Sequence, residues 1–249
     1  MNSQPTSPSS NQPPPAGLFL SGREVIARLS ALRQLVGHPG MLAILRRAGL
    51  TDSLAGLLVN NWEKTFPYAA YQKIIAAVRE IYGERGYRAL AYRAGKNSFA
   101  ETFGGLPAVK TAKAQLTQMG DERLRLHLAL QTLAEAMEGT SSQRVEVSLR
   151  GLSASLRVDN CCECWHSPLS HEPQCFGLVG SARGALAYLL ETDDYLVREV
   201  HCAAAGDDFC ELEIKPPPEA MRGRGWGQTG FLTLPPDLRA GVDEDNQEQ

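Results

Sequence analysis

The stretch RVEVSLRGLSASLRV, residues 144–158, places apolar and polar side chains in alternation on both sides of one glycine. Because successive side chains of a strand point to opposite faces of a sheet, this period of two is typical of half-buried strands. Gly151 stands where the chain has to turn back between them. The stretch therefore predicts a β-hairpin, and it marks the point where the hydrophobic period of the chain changes.

Downstream, the same reasoning predicts a helix over 175–190 and a second hairpin with strands near 195–202 and 208–215. Upstream, apolar residues recur at helical spacing, which predicts that the N-terminal half is all α. Strands joined as hairpins are antiparallel. We therefore predict an α+β fold, with a helical N-terminal half packed on a four-stranded antiparallel sheet built from two hairpins with an intervening helix.

The first predicted helix begins at a capping box, in which Ser21 and Glu24 satisfy backbone amides of the first turn. Its apolar face comprises Val25, Ile26, Leu29, Leu32 and Leu35. The segment Gly-His-Pro-Gly at 37–40 ends this helix, and another helix follows. Further helices are predicted over 71–82 and 124–137, the second with an apolar face broad enough to be largely buried.

Both ends of the chain differ in composition from the middle. Residues 1–17 are rich in Ser, Pro, Asn and Gln, whereas 216–249 begin with prolines and end in acidic residues. Such segments bury too little apolar surface to offset their chain entropy. We therefore predict disordered tails at 1–17 and 216–249 and a single domain over 18–215, of which 140–215 is the half that carries the metal site.

The overall composition is that of an ordinary globular protein, with 249 residues, 43% hydrophobic residues, a formal net charge of −3 and a pI near 6.0. The lack of a basic excess argues against nucleic acid as a partner. No stretch is apolar for the ~18 residues that a membrane span needs, and the first residues lack the basic and apolar regions of a secretory signal. A cytoplasmic location is therefore expected.

The cysteines fall in two groups, the second of which lies close to a glutamate and a histidine: Cys161, Cys162, Cys164 and Cys175, then Glu199, His201, Cys202 and Cys210. Thiolate and carboxylate ligands from separate segments are typical of a Zn²⁺ site that staples a fold. Because a cytosolic chain keeps its thiols reduced, metal binding is the leading interpretation. Redox chemistry, disulfides and plain buried thiols remain as alternatives.

The spacing of these residues follows a pattern: Cys161, Cys162 and Cys164, then Pro173, Cys175, Gly177, Gly180 and Gly184, then Glu199, Cys202, Gly206, Asp207 and Cys210. It resembles the 4-vinyl-reductase domain, a predicted hydrocarbon-binding module related in fold to the small subunits of the eukaryotic transport-particle tethering complex. Residues 87–96, which contain Arg-Ala-Gly, are similar to a helix and turn of the same family. The doubled Cys161-Cys162 leaves open which of the two fills the family position.

The resemblance implies that zinc is held by Cys175, Glu199, Cys202 and Cys210. Three thiolates and one carboxylate complete a tetrahedral shell without an open position, which is a structural arrangement rather than a catalytic one. In a straight strand Glu199 and Cys202 would face opposite sides, because their separation is odd. The strand is therefore expected to bulge or end around His201. Additional metal or redox groups in this region are Cys161, Cys162, Cys164 and His201.

The resemblance also implies a function, because members of this family are taken to hold a hydrophobic small molecule, such as an aromatic compound or a tetrapyrrole precursor. The candidate pocket residues are Tyr71, Tyr92, Phe99, Phe103, Trp165 and Phe176, each with a place in the core as the alternative. The fold relatives pair through N-terminal helices, which implies a homodimer through the apolar face of the first helix. We therefore expect a cytoplasmic sensor or carrier with a structural zinc site.

Two other functions stay open. Family members occur in chlorophyll or bacteriochlorophyll biosynthesis and in photosystem assembly, and the fold relatives act as tethering subunits without a ligand. The sequence contains none of the nucleophile-elbow, phosphate-loop or dinucleotide-binding motifs. An enzyme is therefore the less favoured interpretation, and no catalytic residue is assigned.

Overall fold

The computed structural model describes residues 17–51, 54–165, 167 and 170–216. Its helices are α1 (Gly22–Arg47), α2 (Leu54–Leu57), α3 (Tyr68–Phe103), α4 (Pro107–Gln118), α5 (Glu122–Thr140) and α6 (Phe176–Leu190). Its strands are β1 (Phe19–Ser21), β2 (Lys64–Pro67), β3 (Arg144–Arg150), β4 (Ser153–Asp159), β5 (Leu196–His201) and β6 (Cys210–Lys215). The predicted α+β class is confirmed. The predicted tails at 1–16 and 217–249 lie outside the described residues.

Strands β3 to β6 form one antiparallel sheet in the order β3-β4-β6-β5. Across the first hairpin, Val145 pairs with Val158 and Val147 with Leu156, so the alternating apolar residues share one face. Cys210 is the first residue of the buried row on β6. The hairpin pattern thus carries a cysteine into the core beside ordinary aliphatic residues.

Both long helices contain a break at a glycine. In α1, Gly37 has φ 73°, and in α3, Gly83 has φ 68°. Only glycine adopts this left-handed region without strain, so the helix direction can change there. The break predicted over 37–40 is confirmed. The capping box is also confirmed, because the Ser21 hydroxyl accepts a hydrogen bond from the Glu24 amide at 3.3 Å.

The prediction that the N-terminal half is all α is wrong in one respect, since β1 and β2 form a small antiparallel pair. Strands of three and four residues are too short to display an alternating period. The helix α4 also escapes the pattern analysis. Its buried face consists of Val109, Ala112 and Leu116.

The apolar face of α1 is covered by the chain itself. Val25, Leu29 and Leu32 are buried in a cluster with side chains of α3. The expectation that this face forms a dimer interface is therefore wrong in its location, because α3 supplies the apolar partner that an amphipathic helix requires. A homodimer as such stays a prediction.

Two clusters of buried side chains make up the core. One lies between α1 and α3 and includes Cys162. The other lies between α4, α5, α6 and the large sheet, and it includes the remaining cysteines: Cys161, Cys164, Cys175, Cys202 and Cys210. Within the described ranges, no helix combines the length and the apolar character needed to cross a bilayer.

Helices α3 and α6 join the two clusters through a close backbone contact at glycines. A Cβ atom on Gly180 would lie 2.1 Å from the carbonyl oxygen of Tyr92, and one on Gly184 would lie 2.3 Å from that of Lys96. No side-chain carbon fits at such distances, so the two backbones touch. The position of α6 against α3 therefore depends on these glycines.

We expect Gly180→Ala to destabilise the protein by ~1–3 kcal/mol or more, because the new methyl group has to push α6 away from α3. The matched control is Gly139→Ala, at an exposed position of α5 with no atom near its Cβ site. That change should raise stability by ~0.5–1 kcal/mol, since alanine favours the helix. Denaturant unfolding of both variants measures the difference, and effects of the same sign would contradict the close contact.

Candidate functional site

Five cysteines meet where four segments of the chain come together. Cys161 and Cys164 lie in the turn after β4, Cys175 immediately precedes α6, and Cys202 and Cys210 flank the turn between β5 and β6. All five side chains are buried. Because each segment belongs to a different element, the cluster exists only in the folded chain.

The four residues predicted to hold zinc lie together. The ligand atoms of Cys175, Glu199, Cys202 and Cys210 are all within 4.8 Å of one another. The Cys175 Sγ atom is 3.8 Å from that of Cys202 and 3.6 Å from that of Cys210. A tetrahedral ion with Zn–S bonds of ~2.3 Å has a sulfur–sulfur edge of ~3.8 Å. These spacings therefore fit one ion.

Glu199 is oriented by a bulge in β5. The register of β5 against β6 shifts between Glu199 and His201, as expected from the odd spacing of Glu199 and Cys202. The Glu199 Oε2 atom accepts a hydrogen bond from the Cys175 amide at 2.8 Å, whereas its Oε1 atom is buried without a hydrogen-bond partner among the described residues. Burial raises the pKa of Glu199 to about 9. A nearby cation would supply the missing partner and favour the charged form.

The turn between β5 and β6 is fixed by Asp207. Its Oδ2 atom accepts a hydrogen bond from the Cys202 amide at 2.7 Å, and its Oδ1 atom lies 3.2 Å from His201 Nδ1. The Ala203 amide donates to the sulfur of Cys210 at 3.5 Å. Such outer contacts orient ligands and stabilise thiolates. His201, a predicted additional ligand, is partly exposed, turns towards Asp207 and belongs to neither group of ligand atoms.

The thiols influence one another's ionisation. Hydrogen bonding with Cys164 and Cys175 lowers the pKa of Cys202, whereas burial raises the pKa of Cys175. Several thiolates at such short distances repel one another unless a cation lies between them. Metal binding to this cluster should therefore release protons and add to the stability of the fold.

A second group of four ligand atoms overlaps the first and consists of Cys161, Cys164, Cys175 and Cys210. Its Cys161–Cys175 and Cys164–Cys210 sulfur distances are 3.6 and 3.3 Å. Two of the predicted additional groups, Cys161 and Cys164, therefore lie in the cluster. Cys162 does not, since its side chain is buried in the core between α1 and α3.

A cavity of about 50 Å³ lies on the other side of this turn. It is enclosed by α1, α3, the turn after β4 and the start of α6, and its lining is mostly apolar: Leu29, Leu32, Ile74, Ile75, Val78, Tyr87, Ala91, Ala94, Gly95 and Gly177. Three polar residues complete the lining, namely Arg28, Tyr71 and Glu163. Glu163 belongs to the turn that carries Cys161 and Cys164, so the cavity and the cysteine cluster share a wall.

The polar residues of the cavity form one buried network around Arg28. Its guanidinium donates to Glu24 Oε1 at 3.1 Å, to the Tyr71 hydroxyl at 3.1 Å and to Glu163 Oε1. The Tyr71 hydroxyl lies 3.4 Å from the same Glu163 oxygen. Burial raises the pKa of Glu163, and Arg28 opposes that rise. One cation therefore faces two carboxylates in the interior.

Of the six residues predicted to line a pocket, Tyr71 lines this cavity. Phe99 and Phe103 pack on each other with ring centroids 5.2 Å apart in the core against the sheet. Trp165 packs edge-on against Tyr68. These three side chains thus contribute to the core, which is the alternative that the sequence left open.

The other two predicted pocket residues lie near α6. Phe176 packs edge-on against Tyr87, so that Tyr87 rather than Phe176 lines the cavity. Tyr92 is half-buried, and its carbonyl group meets α6 at Gly180. Arg28 was the detectable signal for the cavity, since a charged residue interrupts the apolar face of α1.

The family model of the 4-vinyl-reductase domain matches residues 154–216. The resemblance to that domain is thereby confirmed for this segment. The segment comprises β4, the cysteine turn, α6 and the second hairpin, and it contains the whole cysteine cluster. No curated protein sequence matches the chain.

Solved structures show a wider likeness. An H-NOX protein from S. oneidensis in the Fe(II)NO ligation state has a TM-score of 0.51 and 15% identity, and the match covers 80% of this chain and 100% of that chain. An unliganded Fe(II) H-NOX protein from K. algicida has a TM-score of 0.52 and 9% identity, with 80% and 97% covered. The phenol-responsive sensory domain of the transcription activator PoxR with phenol has a TM-score of 0.46 and 19% identity, with 60% and 74% covered. The H-NOX matches show a shared fold.

We expect Glu199→Gln to weaken zinc binding at least tenfold, because even outer-shell changes cost ~10–100-fold in metal affinity. The amide can still accept from the Cys175 backbone, so the fold should persist. Competition with a chromogenic chelator measures the affinity. Glu213→Gln, on the adjacent strand at the surface, is the matched control and should leave it unchanged. Equal zinc affinity in the two variants would argue against Glu199 as a ligand.

We expect Arg28→Met to cost ~3–5 kcal/mol at neutral pH, because it leaves buried carboxylates without their cation. The folded state would then bind more protons than the unfolded state, since burial already raises the pKa of Glu163. The loss relative to wild type should therefore shrink as the pH falls towards the ordinary carboxyl pKa of ~4.3. Urea unfolding at several pH values tests this.

The matched control for that series is Arg47→Met, which removes an exposed ion pair with Glu80. Its effect on stability should be small at every pH, because exposed pairs are screened by solvent. A pH-independent loss in Arg28→Met would contradict the role of Arg28 as the counter-ion of Glu163.

Proposed function

We propose that the protein is a cytoplasmic small-molecule-binding module of the sensor or carrier type, with a structural zinc ion at Cys175, Glu199, Cys202 and Cys210. The enclosed cavity between α1, α3 and the cysteine turn carries this proposal. It combines an apolar lining with a few polar groups at one end, which is the usual composition of a ligand site. A tethering role alone would leave both the cavity and its buried arginine unexplained.

The chemistry of the lining suggests the class of ligand. Leu32, Ile74 and Val78 offer apolar contact, whereas Arg28 and the Tyr71 hydroxyl offer hydrogen bonds at one end. A small apolar molecule with one hydroxyl group would satisfy both parts. A cavity of about 50 Å³ is smaller than the ~150 Å³ cavity that takes up benzene. A single-ring ligand therefore requires α1 to move slightly from α3, and a tetrapyrrole is not favoured.

The comparisons support a ligand-holding role for this fold. The H-NOX proteins that share it are described with iron and, in one case, with NO. The iron is not part of the proposal, because the described residues that line the cavity include no histidine or cysteine. The H-NOX likeness covers 80% of the chain, which supports one domain over 18–215.

The state of the cysteines supports the proposed location and the proposed metal. All six are free thiols, as expected in the reducing cytosol. When bound, zinc would crosslink the turn before α6 to the second hairpin. With four protein ligands it has no open position, so its role in this proposal is to hold the cavity wall in place.

The test uses p-cresol, a single-ring molecule with one hydroxyl group. Ile74→Ala enlarges the cavity, whereas Ile214→Ala makes the same truncation in β6, away from it. Both should lose ~2–5 kcal/mol of stability. We expect Ile74→Ala to bind p-cresol at least tenfold more tightly than wild type by calorimetry, and Ile214→Ala to bind like wild type.

Binding should also depend on the polar end of the cavity. In the Ile74→Ala background, Tyr71→Phe should weaken p-cresol binding ~5–10-fold, the value of one hydrogen bond, and leave toluene binding unchanged. Equal binding by the two truncation variants, or no binding by either, would overturn the proposal that this cavity is the ligand site.

A further inference from the structure

The cysteine cluster contains more ligands than one zinc ion can use. Two groups of four ligand atoms are present, and they share Cys175 and Cys210. Cys161 and Cys164 complete one group, whereas Glu199 and Cys202 complete the other. A structural zinc site takes four ligands. An ion in the second group would therefore leave the thiols of Cys161 and Cys164 buried against it and unused.

The distances within the cluster match two tetrahedra that share an edge. The shared edge is the Cys175–Cys210 pair, with sulfur atoms 3.6 Å apart. From this edge, Cys161 lies 3.6 Å from Cys175 on one side, and Cys202 lies 3.8 Å from Cys175 on the other. Both values are close to the ~3.8 Å edge of a zinc–thiolate tetrahedron. The six ligand atoms do not merge into one group, which separates the two positions.

We propose that the cluster binds two zinc ions bridged by the thiolates of Cys175 and Cys210. One ion completes its shell with Cys161 and Cys164, and the other with Glu199 and Cys202. The charges agree with this arrangement. Five thiolates and one carboxylate with two Zn²⁺ ions carry the same net charge, −2, as a single Zn²⁺ in a four-thiolate site. Each thiol proton is released to solvent as the ions bind.

The ion at Cys161 and Cys164 has a position of its own in the fold. These cysteines enclose Glu163, whose carboxylate closes the polar end of the ligand cavity. The same carboxylate packs directly on α6, because a Cβ on Gly177 would lie 2.5 Å from Glu163 Oε2. The second ion therefore fixes the turn that presents Glu163, whereas the first ion ties α6 to the second hairpin.

The test is the metal stoichiometry of the full chain. Protein reconstituted with zinc and freed of excess metal should contain two zinc ions per chain by mass spectrometry of the elements. Titration with Co²⁺ adds a signature of the bridges. Sulfur-to-cobalt charge-transfer absorption should rise up to two equivalents, and the EPR signal per cobalt should fall as the second equivalent binds, because shared thiolates couple the two spins.

Variants separate the two positions. The double variant Cys161→Ser/Cys164→Ser should retain one zinc ion and lose the spin coupling. Cys162→Ser, the same change at the neighbouring cysteine outside the cluster, should retain two. If the double variant does not fold, the cobalt titration of the wild type decides alone.

Three results would overturn the proposal. The first is a single zinc or cobalt ion per wild-type chain. The second is a Cys161–Cys164 disulfide in the metal-loaded protein, shown by two fewer titratable thiols. The third is iron with acid-labile sulfide in protein purified from its host, since an iron–sulfur cluster would then use the same cysteines.

Discussion

The start of α6 is held from two directions, and both the cysteine cluster and the cavity depend on it. On one side, Cys175 lies at the centre of the cluster, within reach of thiols from three other segments. On the other side, the glycines of the first turns of α6 allow its backbone to touch that of α3. A shift of α6 would therefore separate the ligands and open the cavity in one movement.

The cavity shows how a charged network is tolerated in the interior. Arg28 is surrounded by Glu24, Tyr71 and Glu163, and each contact offsets part of the cost of removing its charge from water. Such networks seldom add much net stability, but they disfavour any arrangement in which one member loses its partners. The turn after β4 is thereby tied to α1, a helix distant in sequence. The network and the thiols hold this turn from opposite sides.

Much of this fold is visible in local sequence patterns. The alternation in 144–158, the capping box at Ser21 and the glycine breaks each express a short-range rule, and each appears in the structure where expected. The bulge in β5 followed from arithmetic on the spacing of Glu199 and Cys202. The helix α4 and the strands β1 and β2 were not visible, because their patterns are short and their partners are far away in the chain.

The sites divide along the same line. The spacing pattern brought Cys175, Glu199, Cys202 and Cys210 together, because one hairpin and one helix start determine their positions. The cavity lining could not be read in the same way, since aromatic residues serve core and pocket alike. Tyr87 and Phe176 exchange these roles through a single packing contact. Residue type alone does not distinguish them.

The bulge in β5 has a further consequence for the behaviour of the protein in solution. In the order β3-β4-β6-β5, β5 is an outer strand of the sheet, so one row of its backbone amide and carbonyl groups has no strand beside it. A regular outer strand is a template on which another chain can add a strand and start aggregation. The shift in register between Glu199 and His201 interrupts that template. The same irregularity that turns a carboxylate towards the thiols thus also protects the edge of the sheet against self-association.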